Sequence, residues 1–426
     1  MTSMDNFLHK LNLIFSDPVL RKRVLFVVGA FVLFRIAAAV PIPGVDTAAL
    51  ENIFANNQFL GLLNVFSGSG LSNLSIVMLG VGPYITGSII MQLLTMMSPK
   101  LKALYHEEGD AGRKKFTQYS RLLTVPLAML QGYGLLVLLS RQGVLGALDP
   151  FGMFMNVMIV TAGSVLLMWL GELISEFGVG NGVSLIIFAG IVAGIPQATM
   201  QTLASYDPSQ IPLYLAFLAA AVVIVAGVIV MTEAERPVPI TYAKRVRGGK
   251  MYGGVSTYLP LRVNQAGVIP IIFALSILLF PQLIAGFLAG LAHPWAQAIG
   301  EFLRANFTSG WIYSMFYFVL VFLFTYFYTA VTFDPEAIAT NLQKSGAFIP
   351  GVRPGAATAE HLAKILTRTT FAGALFLSGV AVLPLAMQSL TGNQTLAIGG
   401  TALLIVVSVV LDLIKKLDAQ LSMREY

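Results

Sequence analysis

Apolar stretches of about 20 residues recur along the whole chain and are separated by polar connections. About 20 predominantly apolar residues are needed for one helix to cross the hydrocarbon core of a bilayer. A helix also satisfies its own backbone polar groups, which lipid cannot do. We therefore predict an all-α polytopic membrane protein with ten transmembrane helices, over residues 24–40, 74–97, 119–139, 153–173, 183–202, 211–232, 263–288, 311–333, 367–390 and 397–414.

The composition excludes a soluble globular protein. Charged residues make up 11% of the 426 residues and hydrophobic residues 56%, whereas soluble domains carry about 25% charged residues. The chain has no cysteine, which excludes disulfides, thiolate nucleophiles and cysteine-ligated metals. Residues 1–16 are polar and mixed, so we predict no cleavable signal peptide.

Basic residues indicate the orientation in the membrane. Of the 26 lysines and arginines, all but Arg35, Arg141 and Arg304 lie in the N-terminal segment, in or beside three connections on one face, or in the C-terminal tail. Connections rich in Lys and Arg face the cytoplasm. We predict a multi-pass protein of the cell inner (cytoplasmic) membrane with both termini cytoplasmic, because ten crossings return the chain to its starting side.

The stretch from Phe59 to Met97 contains an irregular element. It begins as a short, half-apolar piece, breaks at residues 67–70 and continues into a span with Gly and Pro at residues 80–83. The first piece is too short to cross a bilayer and too apolar for a solvated loop. Irregular backbone at membrane depth is tolerated where protein buries it or where it lines a cavity. We predict a re-entrant half-helix beside a pore or binding site.

A short internal repeat relates the second and seventh spans. Gly80-Val81-x-Pro83-x-Ile85 matches Gly267-Val268-x-Pro270-x-Ile272. Each copy sits in the second helix of a five-helix half, and an odd number of helices inverts the second half. We predict two inverted halves, residues 1–202 and 203–426, with a pathway between them. The alternative is that Gly and Pro are simply common in transmembrane helices.

The spans contain few groups that perform chemistry. Glu172 and Asp412 lie near cytoplasmic ends, where we expect them to reach water, and the four histidines lie in loops. Proton- or cation-coupled transport usually requires ionisable residues inside the membrane, which disfavours a secondary transporter of a small solute. An intramembrane hydrolase would lack its nucleophile, base and metal ligands. We predict no catalysis, no cofactor and no metal.

The interrupted spans instead carry branched aliphatic residues. One interpretation is a hydrophobic constriction that closes by excluding water and suits chemically varied cargo. The other is that these are ordinary residues of a membrane-protein core. The sequence does not choose between the two for Val81, Ile85, Val183, Ile187, Ile272 and Ile405.

Two cytoplasmic connections, residues 233–262 and 334–366, are longer than topology requires. Loops longer than about 12–15 residues are usually functional or disordered. A basic loop with exposed apolar residues suits docking of an RNA-rich or acidic partner. Contact with anionic lipids, combined with topology, is the alternative.

Several long motifs in a fixed order resemble the SecY family, the central subunit of the bacterial Sec protein translocase. The similarity runs from Arg35-Ile36 and Val40–Gly44 to the final span. It is carried by residues 80–92 (GVGPYITGSIIMQ), 107–119 (EEGDAGRKKFTQY), 168–184 (MWLGELISEFGVGNGVS), 259–273 (LPLRVNQAGVIPIIF) and 341–355 (NLQKSGAFIPGVRPG).

The resemblance implies a channel that passes unfolded polypeptides across the membrane and releases hydrophobic segments laterally into lipid. The pore ring would be the six aliphatic residues above. A plug over about residues 59–75 would fill the outer funnel. Its predicted residues are Phe59, Leu60, Leu63, Phe66, Ser67, Gly68, Gly70 and Leu71.

The resemblance also implies a lateral gate between the second and third helices on one side and the seventh and eighth on the other. Its polar residues would be Thr86, Gln131 and Asn264, and partner-binding loops would present Lys244, Arg245 and Arg353. The chain departs from the family pattern at Arg236-Pro237, where relatives often carry two basic residues. Implied partners are SecE and SecG, the SecA motor, the ribosome, signal-peptide-bearing polypeptides and anionic lipids.

Overall fold

The computed structural model describes residues 16–44, 64, 67, 70, 71, 73–106, 108–141, 143–145, 149–204, 211–242, 245–247, 250–252, 256–288, 293–307, 310–391 and 394–422. The fold is mostly helical. In the first half of the chain the helices are α1 (Pro18–Ala39), α2 (Gly82–Met97), α3 (Pro99–His106), α4 (Gly109–Arg141), α5 (Pro150–Phe177) and α6 (Gly182–Ala204).

The second half begins with α7 (Ile211–Glu233) and adds both helices and strands. The strands are β1 (Glu235–Tyr242), β2 (Arg245–Arg247), β3 (Lys250–Tyr252), β4 (Ser256–Arg262) and β5 (Ala347–Phe348). The remaining helices are α8 (Ile269–Leu288), α9 (Pro294–Phe307), α10 (Trp311–Thr332), α11 (Pro335–Lys344), α12 (Ala356–Thr391) and α13 (Gln394–Ser422).

Three helices begin with the same sequence signal, an Asp-Pro pair. In α1, α5 and α11 the aspartate carboxylate accepts hydrogen bonds from backbone N–H groups of the first turn. Proline suits the first helical position because its missing N–H would have no partner there. The side-chain cap satisfies donors that the helix leaves free. The starts at Asp17-Pro18, Asp149-Pro150 and Asp334-Pro335 are thus fixed locally.

Each predicted apolar stretch overlaps one of the longer helices. Within the described residues, four helices are long and apolar enough to cross a membrane by length and composition. They are Gly109–Ser140, Pro150–Phe177, Trp311–Lys344 and Ala356–Met387. Gly182–Pro196, Leu218–Glu233 and Ile269–Leu278 are shorter apolar helices. The structure is consistent with a polytopic membrane protein, and the count of ten crossings stays a prediction.

The predicted second helix, residues 74–97, was wrong at its start. Helix α2 begins at Gly82, and residues 76–81 form turns. Ser75 pairs with Pro41 as an isolated antiparallel bridge. On either side of it, the Ile42 N–H donates to the Leu74 carbonyl (2.8 Å) and the Ile76 N–H to the Val40 carbonyl (2.9 Å). This pairing occupies the backbone groups that a helix would have used.

The predicted seventh helix, residues 263–288, also begins later, at Ile269. Gly267 precedes it with φ of 61°, and Gly80 precedes α2 with φ of 60°. This left-handed region is open to glycine at little cost. In each case a non-helical turn replaces the first part of the predicted helix. Both helices therefore begin later than apolarity alone predicted.

The prediction of an all-α chain missed a small sheet formed by the two long connections. Strand β1 pairs antiparallel with β4, from Glu235–Arg262 to Thr241–Ser256, and also with β5. The order is β4-β1-β5, and β2 and β3 form a separate hairpin. Beneath the sheet lies a buried apolar cluster of Val238, Leu261, Phe333, Ile349, Leu362 and Leu366. The two connections therefore form one folded unit.

The two predicted halves contact each other along two seams. On one side α8 packs against α2 and α4, and on the other α6 packs against α13. Most other helix contacts stay within α1–α6 or within α7–α13. This arrangement brings the N-terminal ends of α2, α6 and α8 toward the middle of α13.

Candidate functional site

The six aliphatic residues singled out from the sequence lie in one hydrophobic cluster. Val81 and Ile85 begin α2, Val183 and Ile187 lie in the first turns of α6, Ile272 lies in the first turn of α8, and Ile405 lies in α13. Both seams between the halves contribute to the cluster. It is a large cluster, and it also includes residues of α1, α5, α10 and α12.

Burial at these positions is nearly complete. Val81 and Ile187 have no accessible surface, Ile405 is 1% exposed, and Ile272 and Ile85 are 4% and 6% exposed. Val183 is half-buried and packs against the same cluster. The cluster also contains the tyrosines Tyr313 and Tyr317. The six aliphatic residues thus lie in a buried, largely apolar part of the molecule.

Helix α5 supports the turn that carries Val81. The Ser164 hydroxyl donates to the Gly80 carbonyl (3.0 Å). One residue earlier, a Cβ on Gly163 would collide with the Ile76 carbonyl. Glycine at position 163 therefore allows the backbone of residues 76–81 to lie directly on α5.

Helix α12 supports the turn before α8 in the corresponding way. A Cβ on Gly373 would lie 2.6 Å from the Val263 carbonyl oxygen, closer than real Cβ contacts. The Asn264 side-chain amide donates to the Gly267 carbonyl (3.3 Å). Val263 stands four residues before Gly267, and Ile76 stands four residues before Gly80. Each interrupted helix thus starts from a turn that rests on a glycine of another helix.

The three polar residues predicted for the lateral gate are buried. The Thr86 hydroxyl donates to the Gly82 carbonyl of its own helix (3.0 Å). Gln131 lies in α4 and Asn264 in the turn before α8. Gln131 Nε2 and Asn264 Oδ1 are buried without a hydrogen-bond partner among the described residues. A buried polar atom without a partner costs about 1–3 kcal/mol, so the closed seam is held below its maximum stability.

Of the eight residues named for the predicted plug, the structure describes Ser67, Gly70 and Leu71. The Leu71 N–H donates to the Ser67 hydroxyl oxygen (3.0 Å), and the Ser75 N–H donates to the Gly70 carbonyl (2.8 Å). Leu71 is fully buried in a second apolar cluster that includes Leu74. Phe59, Leu60, Leu63, Phe66 and Gly68 lie outside the described residues.

Arg353 is exposed on a tight turn of the folded unit that holds the sheet. Gly351 and Gly355 flank it with φ of 83° and 101°. The Arg353 carbonyl accepts a hydrogen bond from the Thr358 hydroxyl (2.8 Å), and the neighbouring Val352 packs on the apolar cluster. The guanidinium is thus presented from a fixed backbone. Arg245 opens strand β2, and Lys244 lies outside the described residues.

Two ion pairs between helices were not predicted from the sequence. The Arg121 guanidinium donates to the Glu172 carboxylate at 2.7 Å, joining α4 to α5. Lys415 Nζ lies 2.8 Å from the Glu233 carboxylate, joining α13 to α7. Glu172 was predicted to reach water, yet only 16% of its side chain is exposed. The sequence feature that could have predicted these ion pairs is the presence of oppositely charged residues near the ends of different spans.

Potential metal ligands do not converge in the described part of the chain, where no three His, Asp or Glu side chains are close enough to hold an ion. Large apolar side chains are instead exposed along several helices, for example Leu33 in α1, Val223 in α7 and Met315 in α10. Exposed apolar faces on long helices are expected where lipid, and not water, is the solvent. The fold and its closed apolar centre define a polytopic α-helical membrane protein.

The chain belongs to the SecY family. The family profile, described as SecY, matches residues 75–414. A protein translocase subunit SecY from Streptomyces scabiei is 42% identical over 429 residues, covering 97% of this chain and 97% of the relative. The corresponding subunit from Corynebacterium glutamicum is 43% identical over 434 residues, with 97% of each chain covered.

Solved structures share the fold. A protein-conducting channel superposes with a TM-score of 0.63 at 18% identity, covering 93% of this chain and 91% of the other. A SecY structure described through its plug domain gives 0.63 at 19% identity, with the same coverage. Sec61 from a canine ribosome–channel complex gives 0.57 at 17% identity, covering 93% and 91%.

Proposed function

We propose that this chain is the channel subunit of a protein translocase, which passes unfolded polypeptides across the cytoplasmic membrane and releases hydrophobic segments into lipid. One observation carries the proposal most directly. Six branched aliphatic residues from four separate elements, on both sides of the seams, belong to one buried cluster. The relatives named above are protein translocase subunits.

The cluster contains the pore ring in this proposal. A constriction lined only by aliphatic side chains excludes water and therefore ions while it is closed. Because it offers no specific hydrogen bond or charge, it accepts any side chain that a threading polypeptide presents. Val81, Ile85, Val183, Ile187, Ile272 and Ile405 are the residues that form it.

The lateral gate is the seam at which α8 meets α2 and α4. No covalent link or described strand pairing crosses this seam, and buried polar atoms without partners weaken it. Separation of the two sides would connect the pore to lipid. An apolar segment then leaves the pore spontaneously, since transfer of each Leu, Ile, Phe or Val at a helix centre is favourable by about 0.3–0.6 kcal/mol.

The plug over about residues 59–75 closes the outer side in this proposal. Support comes from Leu71 and Leu74, which are fully buried and anchor the C-terminal end of the segment in an apolar cluster beside α4 and α5. Ser67 caps the turn that leads to this anchor. This anchor holds the C-terminal end of the proposed plug.

Ten crossings in two inverted halves, residues 1–202 and 203–426, give the topology of the proposed channel. The matched turns before α2 and α8 support the two-fold relationship. Basic residues in the connections favour cytoplasmic termini and a position in the inner membrane. The exposed apolar helix faces accept lipid, including anionic lipids near the basic connections.

The folded unit of β1, β4, β5 and the start of α12 is the docking site for cytoplasmic partners. It presents the exposed Arg353 on a turn fixed by hydrogen bonds, and Arg245 lies in the adjoining hairpin. A guanidinium suits both carboxylates and RNA phosphates, which fits the SecA motor and the ribosome. Two structural neighbours are ribosome-bound channel complexes. SecE and SecG are the proposed membrane partners.

Bond-making chemistry has no part in this function. The SecY family is a family of channels, and the six proposed pore residues of this chain are aliphatic. The energy for translocation comes from a partner in this proposal. A secondary transporter of a small solute, the alternative considered from the sequence, gains no support from the family or the fold.

Crosslinking of a stalled translocating polypeptide tests the function directly. The chain has no cysteine, so single cysteines at Ile85 and Ile272 report on the proposed pore, and a cysteine at the exposed Met315 serves as the matched control. We expect crosslinks from the first two positions and none from the third. Crosslinks at Met315 alone would refute a central pathway.

A further inference from the structure

Helix α9 lies between α8 and α10, outside the predicted transmembrane stretches. It spans Pro294–Phe307 and packs against both neighbouring helices. The edge-to-face contact of Phe307 with Phe316 of α10, with ring centroids 5.3 Å apart, fixes its C-terminal end. Its surface divides into three sides of different chemistry.

The side toward the protein is made of small residues. Ala296 is fully buried and Gly300 is buried. Residues four apart share one helix face, so these two form a narrow contact strip. Small residues let helices approach closely, which explains how α9 lies flat on its neighbours.

An exposed apolar stripe borders this contact strip. It consists of Trp295, Ile299 and Phe302, which are 60%, 46% and 64% exposed. Their spacing of four and then three residues aligns them along one face. Gln297 and Glu301, also exposed, are again four residues apart and lie on the opposite side of the contact strip. A helix with one apolar and one polar side of this kind fits the boundary between the acyl chains of a bilayer and water.

An exposed apolar face of α10 follows the stripe along the chain. Helix α10 begins just after α9, and its Trp311 and Met315 are 73% and 60% exposed. Two of the chain's three tryptophans, Trp295 and Trp311, are thus at this end of the bundle. Tryptophan is enriched at the level of the lipid headgroups. The occupant of the stripe is therefore the same bilayer that surrounds α10.

We propose that α9 is an interfacial helix, which lies in the headgroup–acyl boundary of the extracytoplasmic leaflet. Trp295, Ile299 and Phe302 insert among the upper acyl segments, and Gln297 and Glu301 face water. This membrane-binding surface is separate from the pore, the lateral gate and the cytoplasmic docking unit.

Site-directed fluorescence tests this arrangement in the full-length protein, assembled with its partners and reconstituted in phosphatidylethanolamine–phosphatidylglycerol nanodiscs. Single cysteines at Ile299, Phe302, Gln297 and Glu301 are labelled with bimane. All four side chains are exposed, so the label disturbs no packed core. Labels at the exposed Met315 and Glu360 give the reference signals for lipid and for water.

We expect lipids with a doxyl group at carbon 5 to quench positions 299 and 302 several-fold more than positions 297 and 301. Iodide in the buffer should show the reverse order. Carbon-12 doxyl lipids should quench positions 299 and 302 less than carbon-5 doxyl lipids, because the helix lies near the headgroups.

Three results would overturn the proposal. Equal iodide quenching at all four positions would mean that the stripe faces water. Protection of positions 299 and 302 from both quenchers would mean that a protein chain covers the stripe. Stronger quenching by carbon-12 lipids would mean that α9 lies deeper than the boundary. Translocation is not needed for any of these signals, so failure here leaves the proposed channel function untouched.

Discussion

Gly80 and Gly267 have nearly the same backbone conformation, with φ of 60° and 61°, and each stands two residues before a helix. Both carbonyl groups accept a side-chain hydrogen bond, from Ser164 and from Asn264. The six-residue repeat in the sequence thus has a counterpart in three dimensions. The turn at each glycine makes the following helix begin partway along the bundle. Ile85 therefore lies in the first turn of α2, and Ile272 lies in the first turn of α8.

Acidic residues in the pore ring are expected to open it to ions. Val81 has no accessible surface and Ile272 is 4% exposed. A buried carboxylate is strongly disfavoured without water, so Val81→Asp combined with Ile272→Asp should draw water into the constriction. Ion conductance of the reconstituted channel at rest should rise by at least an order of magnitude. The pair Val81→Ile and Ile272→Val is the control and should seal as well as the natural protein. An unchanged seal in the aspartate variant would contradict the pore ring.

Shortening the predicted plug is expected to raise ion leak through the resting channel. Deletion of residues 60–66 removes seven residues from the N-terminal part of the segment and spares the anchor at Leu71 and Leu74. The same conductance assay measures the effect, and circular dichroism with thermal unfolding checks the fold. If the shortened protein folds and its conductance equals that of the full chain, residues 60–66 do not close the pore.

A hydrophobic residue at Gln131 is expected to stabilise the closed gate. Gln131 Nε2 is buried without a hydrogen-bond partner in the described structure. Removal of such an unpaired polar group should stabilise the closed form by about 1–3 kcal/mol. Gln131→Leu should therefore reduce translocation of substrates with weakly hydrophobic signal sequences and leave strongly hydrophobic ones nearly unaffected. Ser378→Ala is the matched control, because the buried Ser378 hydroxyl donates within its own helix, α12, which is not one of the gate helices. Equal loss for both substrate classes would argue against a gating role.

Reversal of charge at Arg353 is expected to weaken motor-driven translocation by about tenfold, the effect of roughly 1.4 kcal/mol. The exposed side chain contributes nothing to the apolar cluster, so Arg353→Glu should leave the unfolding temperature unchanged. Lys22→Glu makes the same charge change at an exposed site in the first turns of α1, outside the docking unit, and controls for net charge. If Lys22→Glu reduced translocation as much, the effect would be one of general electrostatics and not of docking.

Gly163 and Gly373 are expected to tolerate no side chain. A Cβ at either position would meet backbone carbonyl oxygen, of Ile76 or of Val263. Overpacking of this kind typically costs about 1–3 kcal/mol, so Gly163→Ala and Gly373→Ala should each lower the unfolding temperature. Gly379, on the same helix as Gly373, has no atom within 4 Å of an added Cβ. Gly379→Ala is therefore the control and should unfold at or above the natural temperature.

The sequence predicted the existence of the long helices, because hydropathy is a local property of each segment. The spans predicted from residues 24 and 153 begin later than the observed helices, which start at Asp17-Pro18 and Asp149-Pro150 through contacts within a few residues. The start of α2 was wrong, because Leu74 and Ile76 pair with residues 40 and 42 of another segment. The sheet was missed for the same reason, since β1 and β5 are about 100 residues apart.

Hydropathy determined that this chain is a polytopic membrane protein, and charge bias and the glycine-proline repeat predicted its orientation and its two halves, because each of these signals acts locally between a segment and its solvent. Only the tertiary structure decided that six aliphatic residues from α2, α6, α8 and α13 share one buried cluster, and that the turns before α2 and α8 rest on glycines of other helices. Both arrangements depend on close packing between segments distant in sequence, and such packing leaves no periodic trace within any one of them.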